Sequence, residues 1–333
     1  MNKTVAVAMS GGVDSSTTVI LMQKEGYEVI GITLNLCGND AVKQAKAVAD
    51  ELGIKHYTID ANDAFQTEVI NYFAKSYVEG ETPIPCIKCN QYFKFGVLLD
   101  KAKELGADFV ATGHYSIIKN GRIYRGHDTK RDQSYFLCML TSDQIRHIKF
   151  PLGEYTKDEV REIARQHGIR SSDTPDSQDV CFVEDGNYQE IVRGLYPDCE
   201  KKGDIISVDG RILGKHNGII NYTIGQRKGL GISSPTPLYV AEILPKTNEI
   251  IVGEREDLFS NEVFIRDVNL LTDNIDDVVE IKCRSTQPPV KAMLHGVEDG
   301  LLVSPIEPIF GIAKGQACAI YRGDELIGGG WIV

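Results

Sequence analysis

Residues 5–16, Val-Ala-Val-Ala-Met-Ser-Gly-Gly-Val-Asp-Ser-Ser, constrain the fold of this chain more than any other stretch. Val5 to Met9 are apolar and small or β-branched, with no polar alternation. That pattern predicts a strand buried on both faces, as in a parallel sheet. Ser10-Gly11-Gly12 ends the strand, and from Asp14 the pattern turns helical, with Gly26 as the stop. A strand, a glycine turn and a helix N-terminus converge backbone N–H groups on an anion, and the helix dipole favours negative charge there. No Gly-Lys-Ser/Thr follows the glycines, so this is not a Walker A loop. Its side chains are Ser10, Asp14, Ser15 and Ser16, a set suited to a leaving pyrophosphate held by amides, hydroxyls and a metal.

The next segments repeat the alternation. Glu28–Leu34 and Lys55–Asp60 read as strands, and Ala41–Leu52 and Phe65–Val78 as helices. Phe109–Thr112 is a further buried strand, followed by Gly113 and His114. This order predicts a doubly wound α/β domain whose ligand sits at the carboxyl ends of the strands, beside Ser10–Ser16 and Leu34. Asn120-Gly121 predicts a hairpin, and Thr156-Lys-Asp-Glu159 a capping box opening a helix that runs to Gly168. Around Pro197 the texture changes and helical periodicity disappears, and from about Asn261 a further segment of short, evenly spaced strands begins. The expected organisation is an α/β domain over 1–197, a β-rich domain over 198–260 and a β-barrel or sandwich over 261–333.

Net charge is −11, which weighs against bulk nucleic-acid binding without excluding local basic patches. Two such patches occur, one at Lys119, Arg122, Arg125, Lys130 and Arg131, the other at Arg211, Lys215, His216, Arg227 and Lys228. No apolar run reaches membrane-spanning length, and no targeting segment is visible, so a cytoplasmic location is expected. Eight cysteines in such a chain point to thiol or metal chemistry rather than to a disulfide scaffold. Cys86 and Cys89 stand in the proline-fixed segment Gly80–Asn90, read as a loop before a helix over Tyr92–Leu105. A thiol at a helix N-terminus is expected to be acidic and reactive. Cys181 follows the polar stretch Ser171–Asp179.

Three separated motifs stand together: Ser10-Gly-Gly-Val-Asp-Ser15, Thr82-Pro-Ile-Pro-Cys-Ile-Lys-Cys-Asn-x₃-Lys94-Phe95, and Asp176-Ser-Gln-Asp-Val-Cys-Phe182. Ala111-Thr-Gly-His-Tyr115, Asp132-Gln-Ser-Tyr-Phe136 and Thr223-Ile-Gly-Gln-Arg-Lys-Gly-Leu-Gly231 complete the set. The first is the signature of the PP-loop ATP pyrophosphatases, and the whole chain resembles the tRNA-specific 2-thiouridylases, nearly end to end. The resemblance implies a tRNA-uridine 2-sulfurtransferase using ATP and Mg²⁺. It would adenylate the C2 oxygen of the wobble uridine in tRNAs for Lys, Glu and Gln. Sulfur would then come from a cysteine persulfide, supplied by a cysteine desulfurase through carrier proteins.

By motif match, Cys181 carries the persulfide and Cys89 is the second catalytic cysteine. Either Cys89 attacks the persulfide to release sulfide, or the persulfide attacks C2 and Cys89 resolves it as a disulfide. Ala8, Met9, Ser10, Gly11, Gly12, Val13, Asp14, Ser15, Leu34 and Gly113 match nucleotide-binding positions. His114, Arg131, Asp132, Gln133, Arg284, Ser285 and Gln316 match tRNA contacts, and Ile84, Pro85 and Cys86 match the segment facing the target base. Ile84, Cys86 and Ser285 depart from the residues many relatives have there, which opens a second arrangement: Cys86, Cys89 and Cys181 as three ligands of an iron–sulfur cluster. The competing activity within PP-loop enzymes is an ATP-dependent amidating ligase, which needs no catalytic cysteines.

Overall fold

The computed structural model describes residues 3–36, 39–169, 180–183 and 186–333. The first strand, β1 (Thr4–Ala8), has Val5, Ala6 and Val7 wholly buried, as its unbroken apolar run requires. Then come α1 (Val13–Lys24), β2 (Glu28–Asn35), α2 (Asn39–Glu51) and β3 (Lys55–Asp60). The segment that follows is helical in pieces: α3 (Asn62–Phe65), a π-helical turn (Gln66–Ile70) and α4 (Asn71–Val78). The helix after it joins α5 (Pro85–Lys88), a longer π-helical stretch (Cys89–Val97) and α6 (Leu98–Glu104). Strand β4 (Phe109–Ala111), the hairpin β5 (Ser116–Lys119) and β6 (Arg122–Arg125), α7 (Ser142–Arg146), β7 (Ile148–Lys149), α8 (Lys157–Gln166) and α9 (Tyr188–Leu195) complete the first half.

The core sheet is parallel in order β3-β2-β1-β4-β7. Strand β1 has β2 on one side and β4 on the other, so the chain reverses its winding direction at β1. A crevice opens at the carboxyl ends of strands where winding reverses, and the glycine loop after β1 sits there. The predicted capping box is present: the Thr156 hydroxyl accepts from Glu159 N–H, and the Glu159 carboxylate accepts from Thr156 N–H.

One local expectation is corrected. Cys86 and Cys89 lie on the helix, not in a loop before it, because Pro85 starts α5 where its fixed φ suits a first helical turn. The loop therefore ends at Ile84.

The second unit is a sheet of order β10-β11-β8-β9, built from β8 (Gly203–Ser207), β9 (Ile212–His216), β10 (Tyr239–Leu244) and β11 (Glu249–Gly253). Its core gathers Ile205, Tyr222, Val240, Ile250 and Val252. A short pair, β12 (Phe259–Ser260) with β17 (Ile309–Phe310), links it to the last unit. That unit comprises β13 (Val263–Leu270), β14 (Val279–Lys282), β15 (Val290–Val297), β16 (Gly300–Pro305), β18 (Ala317–Arg322) and β19 (Glu325–Ile332). They pair in order β13-β16-β15-β14-β18-β19, and β19 returns to β13, closing a six-stranded barrel. Closure removes the free edges that alternating strands otherwise expose.

The Asn120-Gly121 hairpin forms as predicted, with both turn residues at positive φ (52° and 73°). Its destination was not legible: β6 pairs with β19, Leu326 opposite Ile123, so an α/β-domain hairpin extends the barrel sheet. Arg122 reaches Glu325 at 3.1 Å, and Arg125 reaches Glu280 at 3.3 Å while stacking on Tyr321. Among the described residues no helix is long and apolar enough to cross a membrane.

Candidate active site

The glycine loop is tied to the helix it opens. The Ser15 and Ser16 hydroxyls donate to the Gly12 carbonyl at 3.0 and 2.9 Å, and Gly12 N–H donates to Ser10 Oγ. Gly11 has φ +80°, and a Cβ there would meet Gln44 and the Ala45 backbone under 3.0 Å, so the turn needs a glycine. Gly113, at the end of β4, would bring a Cβ within 2.9 Å of Asp14. The two glycines let β4, α1 and α2 close on the loop.

A cleft of about 260 Å³ opens above the loop. Ala8, Met9, Ser10, Asp14, Ser15, Leu34, Gly113, His114 and Gln133 line it, all from the predicted set. Ile32, Leu36, Lys94, Leu98 and Thr112 line it too and were not predicted. Gly11, Gly12 and Val13 form the turn beneath, Val13 with its side chain in the core. His114 is buried, with Nδ1 2.6 Å from Thr112 Oγ1 and its ring between Phe95 and Phe150. Burial holds its pKa well below the ordinary histidine value, so it is neutral.

Asp14 is not a free carboxylate. Lys157 Nζ donates to its two oxygens at 2.8 and 2.9 Å, and the Tyr115 hydroxyl donates to Oδ1 at 2.8 Å. Lys157 carried no motif of its own, because it stands 143 positions away, at the start of α8.

The cysteines adjoin this cleft. Cys89 is buried in a cluster with Ala61, Phe65, Val69 and Phe93, and Phe182 packs on the same cluster. The Phe182 ring meets Phe65 and Phe73 edge-on at 5.8 and 5.2 Å, anchoring the exposed Cys181 just before it. Leu34 and Leu36 belong to both the thiol cluster and the cleft wall. The acidic thiol expected at a helix start is overturned: burial pushes Cys86 up to about 11 and raises Cys89, and partial desolvation by neighbouring groups raises Cys181 although its surface is open. The Lys94 ammonium opposes that rise at all three sulfurs. Among the described residues no three His, Cys, Asp or Glu side chains are grouped to hold a metal ion. Cys86, Cys89 and Cys181 as placed do not form such a group. The motif residues Asp176 to Asp179 lie outside the described residues.

A larger groove of about 1030 Å³ runs between the loop after β6 and the barrel. Arg131, Asp132, Gln133, His127 and Ser285 line it, with Arg125, Lys130 and Lys282 adding positive charge. Gln133 lines both cavities, its Oε1 accepting from Tyr115 N–H at 3.0 Å. Asp132 Oδ1 accepts from Gly126 and Ser134 N–H groups and so shapes the groove wall. Arg284 donates to the Ile224 and Gly311 carbonyls at 2.8 Å each, joining the second unit to the barrel. Gln316 donates to the Thr82 carbonyl at 2.7 Å, fixing the segment that leads to Ile84, Pro85 and Cys86. In the second basic patch Arg211 pairs with Asp209, Lys215 with Asp204, and His216 is buried.

Comparison with known proteins agrees along the whole chain. Residues 3–185 match the family model described as the tRNA methyl transferase HUP domain, 198–254 its PRC-barrel domain and 260–332 the aminomethyltransferase β-barrel domain. The tRNA-specific 2-thiouridylase MnmA of Rickettsia prowazekii is 45% identical, over 99% of this chain and 98% of that one. The protein of that name from Rhodospirillum centenum is 44% identical over 99% and 91%. Such likeness, at this identity and coverage, means that the chain belongs to the tRNA-specific 2-thiouridylase family.

Proposed function

We propose that the cleft binds ATP, that the groove receives tRNA, and that Cys181 and Cys89 deliver sulfur to a uridine held between them. Family membership makes the chain a tRNA-uridine 2-sulfurtransferase and supports ATP use. The observation that carries the finer reading is the shared wall: Leu34 and Leu36 line the cleft and also pack on the thiol cluster.

The chemistry follows from a weak electrophile. Uracil O2 attacks the α-phosphorus of ATP, the N3 proton departs and pyrophosphate leaves. Loop amides and the Ser10 hydroxyl adjoin the departing charge, with Ser15 bracing the turn through the Gly12 carbonyl, and such donors help most where they are already oriented. Asp14, which lines the cleft, would face a magnesium ion bound with the phosphates, and such an ion would neutralise part of that charge. The terminal sulfur of a persulfide on Cys181 then bonds to C2, the C2–O bond breaks, and AMP carries the electron pair away. The Cys89 thiolate attacks the Cys181 sulfur and the S–S bond breaks. Its electrons stay on the sulfur at C2 as the thiocarbonyl, and N3 regains a proton. The Cys89–Cys181 disulfide is reduced by an external thiol before the next turnover. Cys181 is exposed and Cys89 buried, which suits the first to accept sulfur from a carrier and the second to resolve the intermediate.

We assign the ATP-binding domain to 1–197, the central β-rich domain to 198–260 and the barrel to 261–333. We expect the wobble uridine of tRNAs for Lys, Glu and Gln as target, a desulfurase-fed persulfide carrier as donor, and a cytoplasmic setting. The test is mass spectrometry of wobble nucleosides after incubation of unmodified tRNA with enzyme, ATP, Mg²⁺ and a persulfide source. 2-Thiouridine that requires ATP supports the reading; none in its presence rejects it.

A further inference from the structure

We propose that Lys94 is a catalytic residue of the sulfur step, its ammonium neutralising the sulfur anions of Cys181 and Cys89 while facing the nucleotide cleft. The inference rests on the reading above and adds a residue to it. Three observations meet at this side chain. Lys94 lines the cleft with Ser10, Asp14 and His114. It is half-buried, and among the described residues it has no hydrogen bond or ion pair. An ammonium that lines a cleft with no carboxylate partner is free to meet an anion that enters it. Its field also reaches all three thiols of the site.

The backbone explains how one cation serves both sides. Cys89 and Lys94 are five apart on the π-helical stretch Cys89–Val97, where Leu98 N–H reaches back five residues to the Phe93 carbonyl. Bonds of that span draw residues five apart closer to one face than an α-helix does. An ordinary helix would turn Lys94 away from Cys89.

The groups facing the thiols are few. Cys86, Cys89 and Lys94 come from one helix and Cys181 from the segment before α9, while the buried His114 at the end of β4 faces Lys94. Asp14, across the cleft, is paired with Lys157. Among the described residues Lys94 is thus the cation that opposes the rise at all three sulfurs. In the transfer described above, negative charge passes from the persulfide to AMP and from the Cys89 thiolate to the sulfur left on C2. Lys94 adjoins both paths.

The test is the pH dependence of thiol alkylation by iodoacetamide in the full-length enzyme, read at each cysteine by peptide mass spectrometry. Wild type, Lys94→Met and Lys94→Arg are compared. In Lys94→Met the midpoints for Cys181 and Cys89 should rise by about one pH unit. Single-turnover 2-thiouridine formation by persulfide-loaded enzyme at neutral pH should fall by at least about tenfold, with the defect shrinking as pH is raised. Lys94→Arg, which keeps the charge, should stay near wild type. Unchanged midpoints in Lys94→Met, or a thiolation defect of equal size at every pH, would overturn the assignment. Alkylation needs neither tRNA nor ATP, so it judges Lys94 alone; absence of 2-thiouridine from the wild type would instead sink the parent reading.

Discussion

Lys157 Nζ lies 2.8 and 2.9 Å from the two carboxylate oxygens of Asp14, bridging the first turn of α8 to the first turn of α1. The glycine loop has no lysine of its own, yet one stands directly behind it. The pair is asymmetric, with the lysine side chain buried at 9% exposure and the carboxylate open at 35%. Asp14 is therefore poised, held from behind by a cation and a phenol with its open side toward the cleft.

That pairing predicts a double defect. Lys157→Met should lower stability by about 1–3 kcal/mol, because it removes a charged partner from a partly buried carboxylate. It should also slow tRNA-dependent pyrophosphate release, since Asp14 loses its orientation. Asp14→Ala should block adenylation while leaving tRNA binding intact. Thermal unfolding and a pyrophosphate assay test both, and full adenylation by Asp14→Ala would remove its assigned role.

Gly113→Ala should impair ATP binding without unfolding the protein. A Cβ there would sit 2.9 Å from Asp14 Cβ and 3.1 Å from its carbonyl carbon, closer than real contacts allow. Helix α1 must shift, and the loop with it. Calorimetric titration with ATP should show a loss of at least about tenfold, consistent with roughly 1.4 kcal/mol of displaced contacts. Unaltered affinity would mean that the cleft is not where ATP binds.

Cys181→Ser and Cys89→Ser should each abolish 2-thiouridine while ATP binding persists, the first because no persulfide forms. Cys138→Ser should behave differently. Cys138 is wholly buried beside Gly329, so a hydroxyl there lowers melting temperature rather than blocking sulfur transfer. Nucleoside mass spectrometry and a thermal melt separate the two outcomes, and activity in Cys181→Ser would contradict the mechanism.

Stability should fall at both ends of the pH scale, for opposite reasons. Buried thiols have folded pKa values raised above the ordinary 9.0, Cys86 to about 11 and Cys138 to about 12. The unfolded chain releases those protons first, so this contribution is intact below about pH 9 and is lost as pH rises toward 12. His114, His56 and His216 are lowered below 6.5, mainly by burial. Their contribution is present above pH 6.5 and is lost as pH falls below it, because the unfolded chain takes up the protons. Melting temperature measured from pH 4 to 11 should be highest between these limits. A flat profile across pH 9–11 would contradict the buried-thiol assignment.

Local pattern made much of the molecule legible. The apolar run of β1, the glycine turn, the βαβ alternation, the Asn120-Gly121 hairpin, the Thr156 capping box and the barrel strands all follow from contacts within a few residues. Such signals are written in periodicity and turn chemistry, which neighbouring residues carry by themselves. The start of α5 was misread because two prolines suggested a loop, whereas the second occupies a favourable first helical position. The acidity of the cysteines was misread because a helix terminus argues one way and burial the other, and burial is not visible in sequence.

What the residues themselves determined was the identity of the parts: a glycine turn between a strand and a helix, the motif cysteines, a switch-point sheet and a β-barrel. What only the tertiary structure decided was which parts meet. Lys157 comes to Asp14 across 143 residues, β6 joins β19 of the barrel, and Gln316 fixes Thr82 from 234 residues away. Chain closure over such distances has no local signature, because it is settled by the packing of whole sheets and helices rather than by the neighbours of any one residue.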